Sequence, residues 1–231
     1  MTSADAIIDE LRTLGSAKNL AGMARYGIRT ERSFGVKAAD LKTLSRRYKR
    51  DQALALELWA SGYRDARILA TYIADPRAFT PELMDAWIAD CDSWDVCDGT
   101  ANQLFRRSPH AAERALAWSR EEPEFTRRAG FALMAGLALR SSPLSNDAYE
   151  PFFDRIRAAA TDDRNMVKKA VNWALRQIGK RNAALNARAI SVAEALLALD
   201  DPTARWIAGD ALRELRGPAV QGRLQANGGT P

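Results

Sequence analysis

Helical periodicity runs through almost the whole sequence and limits the chain to an all-helical fold. Apolar residues recur at intervals of three and four, and no stretch shows the strict alternation of a half-buried strand. Glycines and prolines interrupt this pattern between segments, for example at Gly62, Pro81, Pro123 and Pro143. Alanine and leucine dominate the composition while β-branched residues are sparse, which favours helix throughout.

Several of the helical segments resemble one another at a fixed spacing. Each has a centre of small residues after a basic or apolar start: RILATYIA (67–74), RRAGFALMAGLA (127–138), KKAVNWALRQIG (168–179) and RWIAGDALREL (205–215). Alignment on Ala129, Ala170 and Ala208 gives steps of 41 and 38 residues, the period of HEAT-type helix pairs. We therefore predict an all-α, HEAT-like helical-repeat solenoid with a concave basic face. A single domain is expected over residues 1–220, followed by a disordered tail over 221–231.

Basic residues are concentrated in two regions of the chain. The net charge is +5 and the pI is about 9.4, which permits a polyanionic partner. Residues 1–50 hold 11 Lys/Arg against 5 Asp/Glu, residues 51–100 hold 3 against 10, and residues 164–188 hold seven basic residues and no acid. A charge run is often only a solvated helix face. Two basic regions flanking an acidic one on a solenoid favour a surface that binds a phosphate backbone.

The composition excludes several classes of protein. His110 is the only histidine, so a His-based metal site or a Ser/His relay is nearly excluded. Cys91 and Cys97 suggest neither a disulfide framework nor a zinc site, and we expect no metal and no cofactor. The longest uncharged apolar run, 129–139, is too short to cross a bilayer, and the N-terminus lacks a signal-peptide pattern. We expect a cytoplasmic monomer with no membrane association and no obligate protein partner.

The segment DSWDVCDGTANQLF (92–105) combines a helical pattern with a misplaced acid. It predicts a helix with Asp92 as N-cap and Asp95 three positions later. On a 3.6-residue period, Asp98 falls in the middle of an apolar stripe that runs from Trp94 to Phe105. Burial of an unpaired carboxylate is costly, so Asp98 should pair with a cation or line a cleft. The alternative is a buried acid that caps a neighbouring helix.

Arg128 presents the matching question. It opens an otherwise uncharged helical stretch, with Phe125 three residues before it and Phe131 three after. An arginine at a helix start commonly extends its head to solvent along an apolar surface. Arg128 could equally be the cation that Asp98 needs, or a ligand for a phosphate.

Trp173 is an aromatic residue on a basic helix face. Val167, Val171, Ala174 and Ile178 form the expected core stripe, and Trp173 lies off it among Lys169, Arg176, Gln177 and Lys180. An aromatic ring among cations is typical of nucleic-acid binding, while the alternative is a rim tryptophan that packs on the next repeat. Tyr26 also lies among basic residues, although alone it is weak evidence. We interpret Trp59, Trp87, Trp118 and Trp206 as core or inter-repeat packing.

These motifs together resemble a known family, the bacterial DNA alkylation repair glycosylases built from HEAT-like repeats (the AlkD family). The matching residues are Arg25-Tyr26 followed by Phe34-Gly35-Val36, the segment Trp94-Asp95-Val96-Cys97-Asp98, Arg127-Arg128-Ala129, and KKAVNWALRQIGK (168–180). They span about residues 20 to 185. Each motif alone is loose, but their order and spacing are fairly specific.

The resemblance implies an activity and a role for each residue. Members of the family excise cationic N3- or N7-alkylated purines from duplex DNA and leave an abasic site, without a metal or redox cofactor. Trp94, Asp98 and Trp173 match the residues of the catalytic cleft. Arg128 matches a ligand of the backbone beside the lesion, and Tyr26 matches a DNA contact near it. On the residues alone, Lys169, Arg176 and Lys180 are expected to bind phosphates.

One departure and two alternatives accompany this interpretation. Many relatives carry an additional aromatic residue before the Trp-Asp pair, where this chain has Ser93, so the resemblance does not extend to the exact shape of the cleft. The first alternative is a non-catalytic relative that binds damaged, bent or branched DNA, as some relatives that lack the acid or a tryptophan do. The second is a scaffold for a protein partner, which the basic and aromatic character of the key face disfavours. Because Asp98 and both tryptophans are retained, we favour the enzyme.

Overall fold

The computed structural model describes residues 3–48, 50–139 and 141–228, and the described residues form fourteen α-helices and no strand. Their contacts divide the chain into two compact units, residues 1–109 and 110–231, where the sequence predicted one domain over 1–220. A repeat array has no central core shared by all its helices, since each helix contacts only near neighbours along the chain. Such an array can therefore divide into separate contact units.

The first unit contains seven α-helices. They are α1 (Ala4–Thr13), α2 (Ala17–Arg25), α3 (Ala38–Ser45), α4 (Gln52–Ala60), α5 (Arg64–Ile73), α6 (Pro81–Ala89) and α7 (Trp94–Gly99). Helix α5 is central, because α3, α4 and α7 all pack against it. The aromatic core includes Trp59 and Trp87, whose rings stack 4.0 Å apart. Both tryptophans are 3% exposed, which confirms their predicted packing role.

The second unit contains the remaining seven helices. They are α8 (Ala111–Trp118), α9 (Glu124–Leu137), α10 (Glu150–Ala158), α11 (Asn165–Gly179), α12 (Ala183–Leu197), α13 (Pro202–Leu215) and α14 (Pro218–Gly228). Helix α11 packs against α9 on one side and α13 on the other. These three helices carry the aligned Ala129, Ala170 and Ala208, each fully buried. The internal repeat predicted from the sequence is therefore a row of neighbouring equivalent helices.

The close approach of helices α8 and α9 depends on Gly130. A Cβ atom at Gly130 of α9 would lie 2.5 Å from the backbone nitrogen of Ser119, at the end of α8. No side chain fits at that distance, so the small-residue centre of the repeat is a steric requirement for the α8–α9 contact.

The C-terminal segment differs from the prediction of a disordered tail. Residues 221–228 continue helix α14, and residues 229–231 lie outside the described part. Val220 and Leu224 are buried, and Gln221 donates to the carbonyl of Leu215 at 2.6 Å. A short sequence rich in glycine and polar residues suggested disorder, but two apolar residues one turn apart are enough to hold the helix.

Candidate functional site

Trp94 and Tyr26 lie together in the first unit. Trp94 is the first residue of α7 and is half-buried, while Tyr26 follows the last residue of α2 and is 74% exposed. The indole Nε1 of Trp94 donates to the backbone carbonyl of Tyr26 at 3.0 Å. Two residues that the sequence singled out independently are thus joined by a hydrogen bond.

The residues beside Trp94 fix the start of α7. Ser93 is the N-cap residue, and its hydroxyl donates to Asp95 at 2.7 Å. The other oxygen of Asp95 accepts from Arg64, whose Nε lies 2.6 Å away. The prediction of Asp92 as N-cap is wrong, because Ser93 holds that position, and Asp92 is exposed and lies 3.9 Å from Arg29. Ser93 orients Asp95 through its hydroxyl.

Asp65 is a structural carboxylate that the sequence analysis missed. It is fully buried and accepts hydrogen bonds from the Ser33 hydroxyl at 2.9 Å and from the backbone nitrogens of Phe34 and Val36 at 2.7 and 3.0 Å. Arg64 lies 3.3 Å from it and supplies the compensating charge. Asp65 thereby anchors the segment that follows Tyr26. The sequence feature that could have indicated this role is an acid at the second position of a strongly amphipathic helix.

Asp98 lies one turn after Trp94 on α7 and is half-buried. The expectation that it sits in the middle of the apolar stripe is wrong. The buried residues of this segment are Val96, Cys97, Thr100, Ala101, Leu104 and Phe105. Cys97, Ala101 and Phe105 are buried as expected, while Asp98 lies at the edge of their face, and a π-helical turn over Thr100–Leu104 follows α7. Trp94 and Asp98 therefore flank the buried stripe and retain partial access to solvent.

Arg128 is buried in α9, with 6% of its surface exposed. Its Nη1 donates to the backbone carbonyl of Met166 at 2.6 Å, which ties α9 to the first turn of α11. The alternative in which Arg128 extends into solvent is therefore wrong. Its neighbour Arg127 has a separate structural role, because it lies 3.0 Å from Asp162 and binds the carbonyl of Glu121. The functional role of Arg128 stays a prediction.

Trp173 lies off the core of α11, as predicted. The four stripe residues Val167, Val171, Ala174 and Ile178 are fully buried, while Trp173 is half-buried. With its amide oxygen turned toward them, Gln177 accepts from the indole nitrogen of Trp173 and from Nζ of Lys180, both at 3.1 Å. The indole is therefore held by its own helix and leaves part of its ring surface accessible.

The basic face of α11 is partly neutralised by acids of α13. Arg176 and Lys180 lie 2.6 and 2.7 Å from the two carboxylate oxygens of Glu214. Burial raises the pKa of Glu214, but the hydrogen bond from Lys180 and the charges of both cations outweigh it, so the pKa lies below its ordinary value. Lys169 is exposed. The sequence could not show these pairs because Glu214 is one repeat away from its partners.

Trp206 is not a core residue. It is 43% exposed on α13, and Nζ of Lys168 lies 5.5 Å from the centre of its ring. Of the two predicted roles, packing in the core is wrong for Trp206, whereas its contact with Lys168 of α11 lies between neighbouring repeats. Trp118 is 2% exposed and packs in the core as predicted.

Residues 7–215 match the protein family described as DNA alkylation repair enzyme. The chain belongs to the DNA alkylation repair enzyme family. The match covers both units and includes every residue identified above as a candidate for catalysis or DNA binding. No curated protein shows significant sequence similarity to the chain.

A solved structure has the same fold as this member of the DNA alkylation repair family. It is described as "A new family of proteins related to the HEAT-like repeat DNA glycosylases with affinity for branched DNA structures". The TM-score is 0.77 at 22% sequence identity, over 96% of each chain. The all-helical, HEAT-like repeat fold is therefore confirmed. Within the described residues, no helix is both long enough and apolar enough to span a membrane.

Proposed function

We propose that this protein is a monofunctional DNA glycosylase that hydrolyses the N-glycosidic bond of cationic alkylated purines in duplex DNA. The observation that carries the proposal is the pair formed by Trp94 and Asp98, one turn apart and both half-buried at the edge of the α7 core. The family match supports the assignment to alkylation repair. The residues expected from the resemblance, Trp173 and Arg128 among them, are retained.

The chemistry follows from the charge of the substrate. An N3- or N7-alkylated purine is cationic, so the faces of aromatic rings attract it. Departure of the base gives the sugar oxocarbenium character, and a nearby carboxylate stabilises that developing charge. Asp98 would supply the carboxylate and could also orient the attacking water. Because the leaving base already carries positive charge, the reaction needs no strong general acid.

Contacts within the first unit hold the Trp94 ring in a fixed orientation. The hydrogen bond to Tyr26 holds the indole of Trp94 at its nitrogen. The ion pair between Arg64 and Asp95, whose side chains are 15% and 11% exposed, holds the adjacent backbone. A ring fixed in this way loses little conformational entropy when it contacts a base or sugar.

The direct test is incubation of the purified protein with N-methylated duplex DNA, followed by analysis of the free bases. Release of 3-methyladenine or 7-methylguanine, with abasic sites left in the DNA, is the expected result. The matched controls are unmethylated DNA and the Asp98→Asn protein. If no alkylated base is released by folded protein, the glycosylase assignment fails.

A second candidate function is the binding of branched DNA without excision. It is favoured by the solved structure that covers 96% of the chain, since that protein is described as having affinity for branched DNA. The discriminating measurement is affinity for a four-way junction compared with a linear duplex of equal length, made alongside the base-release assay. Preference for the junction together with no base release supports this second function and contradicts the first.

A further inference from the structure

A pocket of about 480 Å³ opens within the first unit, and half of its lining residues are arginines. Four arginines line it, Arg29, Arg32, Arg64 and Arg67, together with the acids Glu31 and Asp92. Its volume lies in the range of pockets that bind small molecules. None of the residues assigned to catalysis lines it, so the proposed glycosylase chemistry leaves its role unexplained.

Arg32 is the least compensated of these arginines. Its Nη2 donates to the carbonyl of Ser61 at 2.8 Å, and its guanidinium lies 5.2 Å from the centre of the Tyr63 ring. Among the described residues, no carboxylate oxygen lies within 4 Å of its nitrogens. A neutral carbonyl and an aromatic face orient the guanidinium without cancelling its charge. Arg32 is therefore preorganised to bind an anion.

Gly62 makes room for this arrangement. Its φ angle is +72°, a conformation that favours glycine, and a Cβ atom there would lie 3.2 Å from Cζ of Arg32. A larger residue would be strained and would also displace the guanidinium. The turn between α4 and α5 thus leaves space for the Arg32 guanidinium and supplies the carbonyl that it binds.

The other arginines differ in how far their charges are balanced. Arg64 is fully engaged, because it binds Asp95 at 2.5 Å and Asp65 at 3.3 Å. Arg67 donates mainly to a backbone carbonyl, that of Asp90 at 2.8 Å, with the Asp90 carboxylate 3.7 Å away. Arg29 has only the 3.9 Å contact with Asp92, and both side chains are more than half exposed. The accessible positive charge of the pocket therefore resides chiefly in Arg32 and Arg29, because the Arg67 side chain is only 15% exposed and lies over the Trp59 ring.

We propose that this pocket binds the phosphate monoester of a nucleotide. A monoester carries a charge of about −1.5 to −2 near neutral pH, so it exceeds a backbone phosphodiester in charge and suits a cluster of guanidinium groups. The monoester can come from the phosphorylated end of a DNA strand or from a free nucleotide. The first source rests on the proposed function, since it requires that the protein bind DNA.

The position of the pocket relates it to the candidate site. Arg29 follows Tyr26 by three residues, and Asp92 and Val96 stand two residues on either side of Trp94. The lining therefore continues from the two segments that the hydrogen bond between Trp94 and Tyr26 joins. A strand end bound by Arg32 would lie next to this aromatic pair, as it would in a nicked or flapped DNA.

The experiment compares ligands that differ only in the phosphate. A flapped duplex with a 5′-phosphate on the flap is compared with the same DNA ending in a 5′-hydroxyl, and dAMP is compared with deoxyadenosine by calorimetry. The unmodified protein should bind the phosphorylated member of at least one pair about tenfold more tightly, the effect of roughly one charge-assisted contact. A preference in the flap pair identifies the DNA end as the source, and a preference in the dAMP pair identifies the free nucleotide.

Variants of the pocket arginines test whether the preference for the phosphorylated ligand arises in this pocket. Arg32→Gln should abolish the phosphate preference, and Arg29→Gln, which loses only a long surface contact, should reduce it even if Arg32→Gln perturbs the fold. Arg77→Gln is the matched control, because Arg77 is an exposed arginine of the same unit outside the pocket lining. No preference in either pair, or a preference that both pocket variants retain, overturns the proposal. Affinity for the unbranched, unphosphorylated duplex separately tests DNA binding, so the two failures are distinguishable.

Discussion

The indole nitrogen of Trp94 is hydrogen-bonded to the backbone carbonyl of Tyr26, 68 positions earlier in the chain, at 3.0 Å. The bond orients an aromatic ring at the start of α7 and joins it to the backbone of Tyr26, whose side chain is exposed. Because the acceptor is a backbone atom, replacement of the Tyr26 side chain leaves it in place. The two side chains can therefore be tested separately.

Loss of the Tyr26 ring should weaken DNA binding without loss of folding. Tyr26→Ala removes a side chain that is 74% exposed, so the melting temperature should stay within about 2 °C of the unmodified protein. Affinity for duplex DNA, measured by fluorescence anisotropy, should fall about 3- to 10-fold if the ring contacts DNA. Unchanged affinity would remove Tyr26 from the DNA interface.

Removal of Asp65 should destabilise the first unit. Asp65→Ala leaves three donors and the Arg64 guanidinium without their buried acceptor, so the free energy of unfolding should fall by about 3–5 kcal/mol. Urea denaturation measures the loss. Asp9→Ala on α1 is the control, since the ion pair of Asp9 with Arg12 is exposed and such a pair contributes about 0–1 kcal/mol. Equal effects of the two substitutions would refute the structural role of Asp65.

Neutralisation of Glu214 should strengthen DNA binding. Glu214→Gln removes the carboxylate that Arg176 and Lys180 share, so Lys180 becomes available for phosphates and Arg176 keeps only the longer 3.6 Å contact with Asp210. The slope of log affinity against log salt should become steeper by about 1 to 2 in magnitude. Lys169→Glu should make it shallower, because Lys169 is already exposed. If neither variant changes the slope, DNA does not follow this face of α11.

The ion pairs of Asp162 should make stability depend on pH in the acid range. Burial raises the pKa of Asp162, but hydrogen bonds from Arg164 and Arg127 outweigh it and hold the pKa below its ordinary value of 3.8. Its stabilisation is therefore present above pH 3.8 and is lost as pH falls through the lower folded pKa. Asp162→Asn should be less stable than the unmodified protein at neutral pH, and chemical denaturation at descending pH should show this gap closing. If the difference in stability between the two proteins does not change with pH, the loss in Asp162→Asn is due to packing and not to the charge of Asp162.

The sequence predicted the repeat well because period and steric demand are local properties. The small residues at Ala129, Ala170 and Ala208 mark neighbouring equivalent helices, and the core stripe of α11 is buried as expected. The errors have specific physical causes. Asp98 lies at the edge of the buried stripe, although Cys97, Ala101 and Phe105 of that stripe are buried as expected, and Glu214 pairs with Arg176 across a distance of one repeat. Neither the edge of a buried face nor a long-range ion pair leaves a periodic signal.

The exposure of Trp206 and the pocket formed by the arginines also depend on distant segments, so the sequence did not predict them. Burial of a tryptophan depends on what its neighbouring helices cover, and the sequence around Trp206 does not show that this residue is 43% exposed. The charge cluster of residues 25–32 was visible in the sequence. Its conversion into a pocket depends on Gly62 and Arg67, which lie more than 30 residues away from Arg29.

The central claim is that the Asp98 carboxylate stabilises the transition state of base excision. Single-turnover release of 7-methylguanine or 3-methyladenine by Asp98→Asn, compared with the unmodified protein and with Asp9→Asn, tests it most directly. Loss of one preorganised charge should slow release about 100- to 1,000-fold, equivalent to about 3–4 kcal/mol, while the melting temperature and duplex affinity are maintained or raised. Release by Asp98→Asn at the unmodified rate per folded molecule, with lowered thermal stability, would contradict the claim and leave Asp98 a structural residue.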